Sequence, residues 1–106
     1  MTRRIGNWAL SLLAVSLAVP ALAQTNGADI FKSKCAMCHG ADGLATGPMG
    51  KMMNIPSFRS PALVKAPESQ LIEATTNGKG KMPAYKDKLT GEQIKDVVAY
   101  IRKLQK

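Results

Sequence analysis

The stretch Cys35–His39, with the sequence CAMCH, constrains this chain of 106 residues more than any other feature. Its two cysteines and its histidine are the only ones in the sequence. Two thiols separated by two residues lie about one helical turn apart, so each can add to one of the two vinyl groups on the same haem edge. A histidine directly after the second cysteine is held beneath the ring and can ligate the iron. The stretch therefore predicts one covalently attached haem on Cys35 and Cys38, with His39 as an axial ligand.

Three other interpretations of the cysteine pair fit the sequence less well. A thioredoxin-like dithiol is expected in a βαβ setting, and no strand-rich pattern surrounds this pair. A zinc site needs a second pair of cysteine or histidine ligands, which the sequence lacks. A disulfide across two residues closes only a small, strained loop. The dithiol is the alternative that keeps the most support, because the N-terminus predicts export to an oxidising compartment.

The N-terminus has the pattern of a secretory signal peptide. Arg3 and Arg4 precede an uncharged apolar run over 8–19, and a small-x-small cleavage pattern follows at 21–23. The run is short for a membrane span, and no cysteine follows the cleavage point to carry a lipid. The prediction is a cleaved signal over 1–23 and one periplasmic domain over 24–106, with no stable membrane insertion.

Removal of the signal leaves 83 of the 106 residues, a chain that buries little apolar surface on its own. An internal apolar macrocycle, bonded twice to the chain, would supply the missing core. The prediction is an all-α domain with three or more helices and long loops wrapped around one haem.

Three helices are predicted from the sequence. The first runs from Gly27 to about Cys38, and the second opens at Pro67 and stops at Asn77-Gly78. The third begins at a capping box of Thr90 and Gln93. Leu89 and Ile94 are placed to form a hydrophobic staple. The apolar face of this helix comprises Ile94, Val97, Val98, Ile101 and Leu104.

The stretch from Gly40 to Ala66 is rich in glycine and proline and has no sustained period, so it is predicted to be a long loop. A loop of this length in so small a domain is expected to have a purpose, such as wrapping a cofactor. The apolar residues expected to face that cofactor, or to pack in an ordinary core, are Leu44, Met49, Met52, Met53, Ile55 and Phe58.

Together these residues resemble a class I cytochrome c of the small bacterial branch over 27–104. The resemblance rests on the Cys35–His39 motif, the spacing of Gly27 and Phe31 before it, and three later pieces, which are Pro48-Met49-Gly50, the stretch from Gly78 to Pro83, and Ala99-Tyr100-Ile101. The family implies that Gly27 and Phe31 cross Tyr100 at close range. It also implies Met82 as the second axial ligand and the carbonyl of Pro48 as the group that orients His39.

The choice of Met82 can also be examined from the residues alone. Thioether sulfur is a soft donor that favours reduced iron and raises its potential relative to a second imidazole. Met82 lies in a Gly-rich, Pro-flanked loop, where packing gives little reason for a methionine, whereas methionine elsewhere commonly fills apolar gaps. Met37 lies between the cysteines, on the wrong side to reach the opposite face of the ring. Met49, Met52 and Met53 remain possible ligands, with Met52 and Met53 the main alternatives.

An iron with two protein ligands has no open position, so the predicted function is one-electron transfer by a periplasmic carrier that is not an enzyme. Two alternatives remain open. One is a haem protein that binds a small exogenous ligand when Met82 dissociates. The other is a periplasmic dithiol or copper-binding protein.

The basic charge gives a partial indication of the partners. Without the two arginines of the signal, 13 Lys and Arg stand against 7 Asp and Glu. Four lysines near Met82 are placed to steer an acidic docking face of a redox partner protein, or to form a generally soluble surface. No nucleic-acid partner is expected, and the protein is predicted to be a monomer. These lysines are Lys79, Lys81, Lys86 and Lys88.

Overall fold

The computed structural model describes residues 26–106, together with Gly6. The predicted signal peptide over 1–23 therefore lies, apart from Gly6, outside the described residues. Regular structure in the described part is helical, apart from one antiparallel bridge between Lys79 and Met82. The predicted all-α class is confirmed. None of the helices in this part of the chain has the length and apolarity needed to cross a membrane.

The first helical stretch is continuous from Gly27 to His39 but changes its winding twice. Helix α1 (Gly27–Ile30) passes into a π-helical turn (Phe31–Cys35), which passes into helix α2 (Ala36–His39). The side chain of Asn26 accepts a hydrogen bond from the Asp29 amide at 2.9 Å and caps α1. The wider turn ends at the first cysteine of the CAMCH motif, and π turns of this kind occur often at functional sites.

The segment between the first and second predicted helices holds two short helices that the sequence did not predict. They are α3 (Pro48–Met52) and α4 (Pro61–Lys65). Each begins with proline, whose fixed φ suits a first helical turn. Helices of five residues are too short to show a 3.6-residue period, which explains why this segment looked like one loop.

The two later helices agree with their sequence signals. Helix α5 (Glu68–Asn77) starts after Pro67 and ends at Gly78, whose φ of +80° suits glycine. Helix α6 (Gly91–Leu104) begins with the predicted capping box, in which Thr90 and Gln93 exchange hydrogen bonds of 2.9 and 3.1 Å. Leu89 and Ile94, the residues predicted to form the hydrophobic staple of α6, are both buried.

Helices α1 and α6 cross at the centre of the core, as the cytochrome resemblance implied. A Cβ added to Gly27 would overlap the carbonyl of Asp96 and lie 3.1 Å from the Tyr100 Cβ. The ring of Phe31 is fully buried, with its centroid 5.4 Å from that of Tyr100 and 6.0 Å from that of Phe58. Only glycine permits this crossing distance, because any side chain would meet backbone atoms.

The C-terminal end of α6 is bonded to α4 and to the segment just before it through side chains of three residues, here called the α4–α6 clasp. The guanidinium of Arg102 donates hydrogen bonds to the carbonyls of residues 63, 64 and 66 at the end of α4. Arg59 Nε donates in return to the carbonyl of Leu104 at 3.1 Å, and Gln105 Nε2 donates to the carbonyl of Phe58 at 3.0 Å. The clasp gives the free carbonyls of both helix ends a partner and fixes the segment that carries Phe58.

Candidate functional site

The CAMCH motif lies on one helical stretch, with its two thiols a single turn apart. Cys35 closes the π turn and is buried, whereas Cys38 lies in α2 and is half-buried. The two thiols are not joined by a disulfide. Burial raises the pKa of the Cys35 thiol to about 11, and the nearby Lys34 opposes this only in part. In this environment Cys35 is held as the neutral thiol at ordinary pH.

His39 lies at the end of α2 with one face of its ring covered. Its imidazole stacks on the ring of Phe58, with 4.6 Å between centroids and 22° between planes. Burial lowers the pKa of His39, which favours the neutral imidazole that binds metals. Its Nδ1 atom is buried and has no hydrogen-bond partner among the residues that the structure describes.

The family resemblance implies that the carbonyl of Pro48 accepts a hydrogen bond from this ring, which stays a prediction. Pro48 does begin α3, which packs against α2. Gly50 in the same helix lies so close to the carbonyl of Ala45 that a Cβ there would overlap it. Ala45 in turn donates its amide to the His39 carbonyl at 2.9 Å. The start of α3 is therefore held close to the end of α2.

Met82 lies at the end of a tight hairpin turn rather than on a helix. The amide of Lys79 donates to the Met82 carbonyl at 3.1 Å, and the Met82 amide donates to the Lys79 carbonyl at 3.0 Å. Gly80 has a φ of +59°, in the left-handed region that a turn of this kind requires. A Cβ added to Gly78 would lie 2.7 Å from the Met82 carbonyl oxygen, so Gly78 allows the loop to fold back on the end of α5.

The residues after Met82 are tied to two helices. The amides of Tyr85 and Lys86 donate to the carbonyls of Thr75 and Thr76 in α5, at 3.0 and 3.2 Å. The Tyr85 hydroxyl donates to the carbonyl of Lys34 in the π turn, at 3.1 Å. These bonds join residues 78–88, here called the Met82 loop, to the helix that carries Cys35. Sequence reasoning missed Tyr85, because a hydrogen bond across 51 positions has no local sequence signal.

The other methionines differ in exposure. Met37 and Met52 are 81% and 73% exposed, whereas Met49 and Met53 are half-buried. Of the remaining residues expected to face a cofactor, Phe58 is buried, and Leu44 and Ile55 are half-buried. The stretch 44–58 thus turns part of its apolar surface inward and leaves Met52 in solvent.

A pocket of about 370 Å³ opens beside the Met82 loop, between α4, α5 and Gly78. Its lining is mostly apolar and includes Leu63, Leu71 and Ala74, together with Gly78 and Lys79. The three reactive side chains of the CAMCH motif do not line it, so it is a different part of the interior from the surroundings of His39.

The donor groups of the described residues fit a covalently attached haem. Two unpaired thiols are available for the vinyl groups, and an imidazole whose lowered pKa favours the neutral, metal-binding form is available for the iron. A thioether lies on an anchored loop. No cluster of three or more His, Cys, Asp or Glu side chains occurs within 26–106, so the same residues do not form a zinc site there. The arrangement defines a c-type cytochrome, in which His39 is followed by a wrapping loop and a late methionine.

Comparison with known proteins gives the same class. The family model described as cytochrome c oxidase, cbb3-type, subunit III matches residues 22–101. Cytochrome c6 of Nostoc sp. (strain PCC 7120) is 37% identical over 94 residues, which cover 87% of this chain and 82% of that protein. Cytochrome c6 of Bryopsis maxima is 40% identical over 82 residues, covering 73% and 86%. The solved structure of the c-type cytochrome KustC0563 superposes with a TM-score of 0.70 at 29% identity, covering 76% of this chain and 99% of that one.

The chain belongs to the class I c-type cytochromes, as a small monohaem member. It carries one covalently bound haem c with its iron, and it is an electron carrier. The predictions of family, cofactor and all-helical fold are therefore confirmed.

Proposed function

We propose that this protein is a periplasmic one-electron carrier in which Cys35 and Cys38 form thioether bonds to the haem, and His39 and Met82 are the axial iron ligands. We further propose that, once the haem is bound, the carbonyl of Pro48 accepts a hydrogen bond from the imidazole of His39 and orients it. When bound, the haem supplies an iron that alternates between Fe(III) and Fe(II), exchanging one electron in each direction.

One observation carries the proposal: the loop bearing Met82 is fastened to the helix bearing Cys35 by the hydrogen bond from Tyr85 to the Lys34 carbonyl. The two ends of this loop are also held, by the Lys79–Met82 bridge and by the carbonyls at the end of α5. A ligand on a fixed loop loses little conformational freedom when it binds, which favours a stable Met–iron bond.

The exposure of the competing methionines also supports Met82. Met52 points largely into solvent, and a ligand there would have to move its side chain into the interior. Met53 is half-buried and remains the competing ligand to test. With His39 and Met82 in both axial positions, the iron has no place for a substrate, which is why we propose a carrier rather than an enzyme.

The role of Pro48 rests on the unpartnered Nδ1 of His39. A buried N–H without an acceptor is costly, by about 1–3 kcal/mol, so the group is expected to find one. Axial histidines are commonly oriented by a hydrogen bond from the second ring nitrogen to a carbonyl. Pro48 starts the helix that packs against α2, which makes its carbonyl a near candidate.

Redox partner proteins with an acidic docking face are proposed to bind beside the Met82 loop. All four lysines of that region are exposed, and the Lys88 ammonium lies 5.7 Å from the centre of the Tyr85 ring. A group of like charges on one loop raises the rate of encounter with an acidic surface. We further propose that the carrier acts as a monomer after cleavage of the signal over 1–23, with residues 24–106 as one domain. The lysines are Lys79, Lys81, Lys86 and Lys88.

The test is expression of the full chain in a host that attaches haem c, followed by spectroscopy of the purified protein. The haem should remain on the denatured polypeptide, and the oxidised protein should show a methionine-to-iron charge-transfer band at the red end of the spectrum. A protein that loses its haem on denaturation would contradict the thioether bonds. Covalent haem without that band would contradict Met82 as a ligand and favour the protein that binds an exogenous ligand.

A further inference from the structure

The ring of Phe58 lies flat against the imidazole of His39, and two hydrogen bonds hold the Phe58 backbone in place. The Phe58 amide donates to the carbonyl of Gly43 at 2.9 Å, and its own carbonyl accepts from Gln105 Nε2 at 3.0 Å. The Phe58 ring also packs against the ring of Phe31, with 6.0 Å between centroids. Phe58 is itself only 7% exposed. Its ring therefore has little freedom to follow a rotation of His39.

Gly43 is part of the same support. Its φ of +77° favours glycine, and a Cβ placed there would collide with the Phe58 ring, at 2.5 Å from Cδ2. The Gly40–Gly43 turn that follows His39 thus folds back so that Phe58 closes over the imidazole. The turn that follows His39 and the ring of Phe58 therefore hold each other in position.

We propose that Phe58 is a positioning residue for the axial histidine: its ring fixes the plane of the His39 imidazole, and the α4–α6 clasp holds Phe58 in place. This inference rests on the proposed role of His39 as an iron ligand. An aromatic pair of this kind is favourable beyond the area it buries only in a limited range of ring orientations. The Phe58 contact covers a face of the imidazole, whereas a hydrogen bond to the Pro48 carbonyl would engage only its edge.

Phe58 differs from an ordinary core residue in what its loss would change. A core residue contributes packing wherever it lies, and its loss lowers stability without altering the electronic structure of the iron. The orientation of an axial imidazole, by contrast, sets the direction in which unpaired spin spreads over the haem. A change in that plane is therefore visible in the spectrum of a protein that is still folded.

The experiment compares holoprotein variants in the oxidised state by proton NMR of the haem methyl groups and by electron paramagnetic resonance. Phe58→Leu should change the order or the spread of the methyl shifts and move the g-values. Phe58→Tyr, which keeps an aromatic face, should restore the wild-type pattern. The control is Ile94→Ala, a truncation at a site that is 2% exposed and lies at the start of α6. It should lower the melting temperature and leave both spectra unchanged.

A second variant tests the clasp without altering any group that touches His39. Gln105→Ala removes the hydrogen bond to the Phe58 carbonyl and should shift the methyl pattern in the same direction as Phe58→Leu, by a smaller amount. If Phe58→Leu is destabilised as much as Ile94→Ala but has the wild-type spectra, the inference is wrong. If the wild-type protein shows no histidine-ligated haem, the proposed function fails first, and the two failures are thereby distinguished.

Discussion

The hydroxyl of Tyr85 donates a hydrogen bond to the backbone carbonyl of Lys34 at 3.1 Å. The bond joins the loop after Met82 to the turn of helix that ends at Cys35. Burial also raises the pKa of this phenol, so it stays protonated and able to donate throughout the neutral range. The two parts of the chain proposed to hold the haem are thus linked directly, without passing through the rest of the core.

Loss of this bond should loosen the Met82 loop. Tyr85→Phe removes only the hydroxyl, and a hydrogen bond of this kind contributes about 1 kcal/mol, so we expect imidazole or cyanide to bind the oxidised iron roughly 5-fold more tightly. The measurement is a ligand titration followed by the loss of the charge-transfer band. Tyr100→Phe is the matched control, because the Tyr100 ring packs against Phe31 and its hydroxyl makes no hydrogen bond within 26–106. Equal affinities in the two variants would contradict this role.

Replacing Met82 should change the iron without removing the haem. Met82→Ala is expected to keep covalent haem but to give a high-spin or exogenously ligated iron with a lower potential, because the soft axial donor is lost. Optical spectra and a redox titration provide the measurement. Met52→Ala and Met53→Ala are the controls and should retain the wild-type spectrum. The ligand assignment is wrong if either control behaves as described for Met82→Ala.

Removing a thiol of the CAMCH motif should prevent normal folding. In Cys35→Ala or Cys38→Ala, we expect little folded holoprotein, because a chain of this size has a small core that depends on the attached ring. The yield of haem-stained protein and the far-ultraviolet circular dichroism of the product measure this. A stable apoprotein that melts cooperatively would contradict it.

The helix crossing can be tested with two glycines. Gly27→Ala places a methyl group against the Asp96 carbonyl and should lower the free energy of unfolding by about 1–3 kcal/mol, as overpacking does. Gly91→Ala is the control: it begins α6, and nothing lies within 4 Å of the added Cβ. It should be neutral or stabilising by about 0.5–1 kcal/mol, since alanine loses less backbone entropy in a helix. Denaturant titrations of both holoproteins give the comparison.

The charge of the Met82 loop should affect the rate of electron transfer rather than the haem. With glutamine at all four loop lysines, reduction or oxidation by an acidic partner should slow at low salt, and its dependence on ionic strength should flatten. The haem spectrum should not move. Four lysines elsewhere form the control set. If the rate changes neither with salt nor with either set of substitutions, the loop lysines form only a general solvated surface. The control lysines are Lys32, Lys95, Lys103 and Lys106.

The predictable parts of the fold have local signals. Helix α6 is predictable because its capping box at Thr90 and its apolar face both involve residues close together in the sequence. The chemistry of Cys35–His39 likewise lies within five positions. The short helices α3 and α4 carry only a leading proline as a signal, and five residues cannot display a period. Tyr85 and the α4–α6 clasp depend on residues many positions apart, so no window of the sequence contains both partners.

The clasp also bears on the order in which the chain assembles. Gln105 meets the Phe58 carbonyl across 47 positions, and Arg102 meets the carbonyl of residue 63 across 39. Contacts of such separation form late, because the chain must first lose the entropy of closing a long loop. The CAMCH turn needs only its own neighbours. We therefore expect the thiols to be accessible before Phe58 has closed over His39, which leaves a planar ring room to enter before the last helix docks.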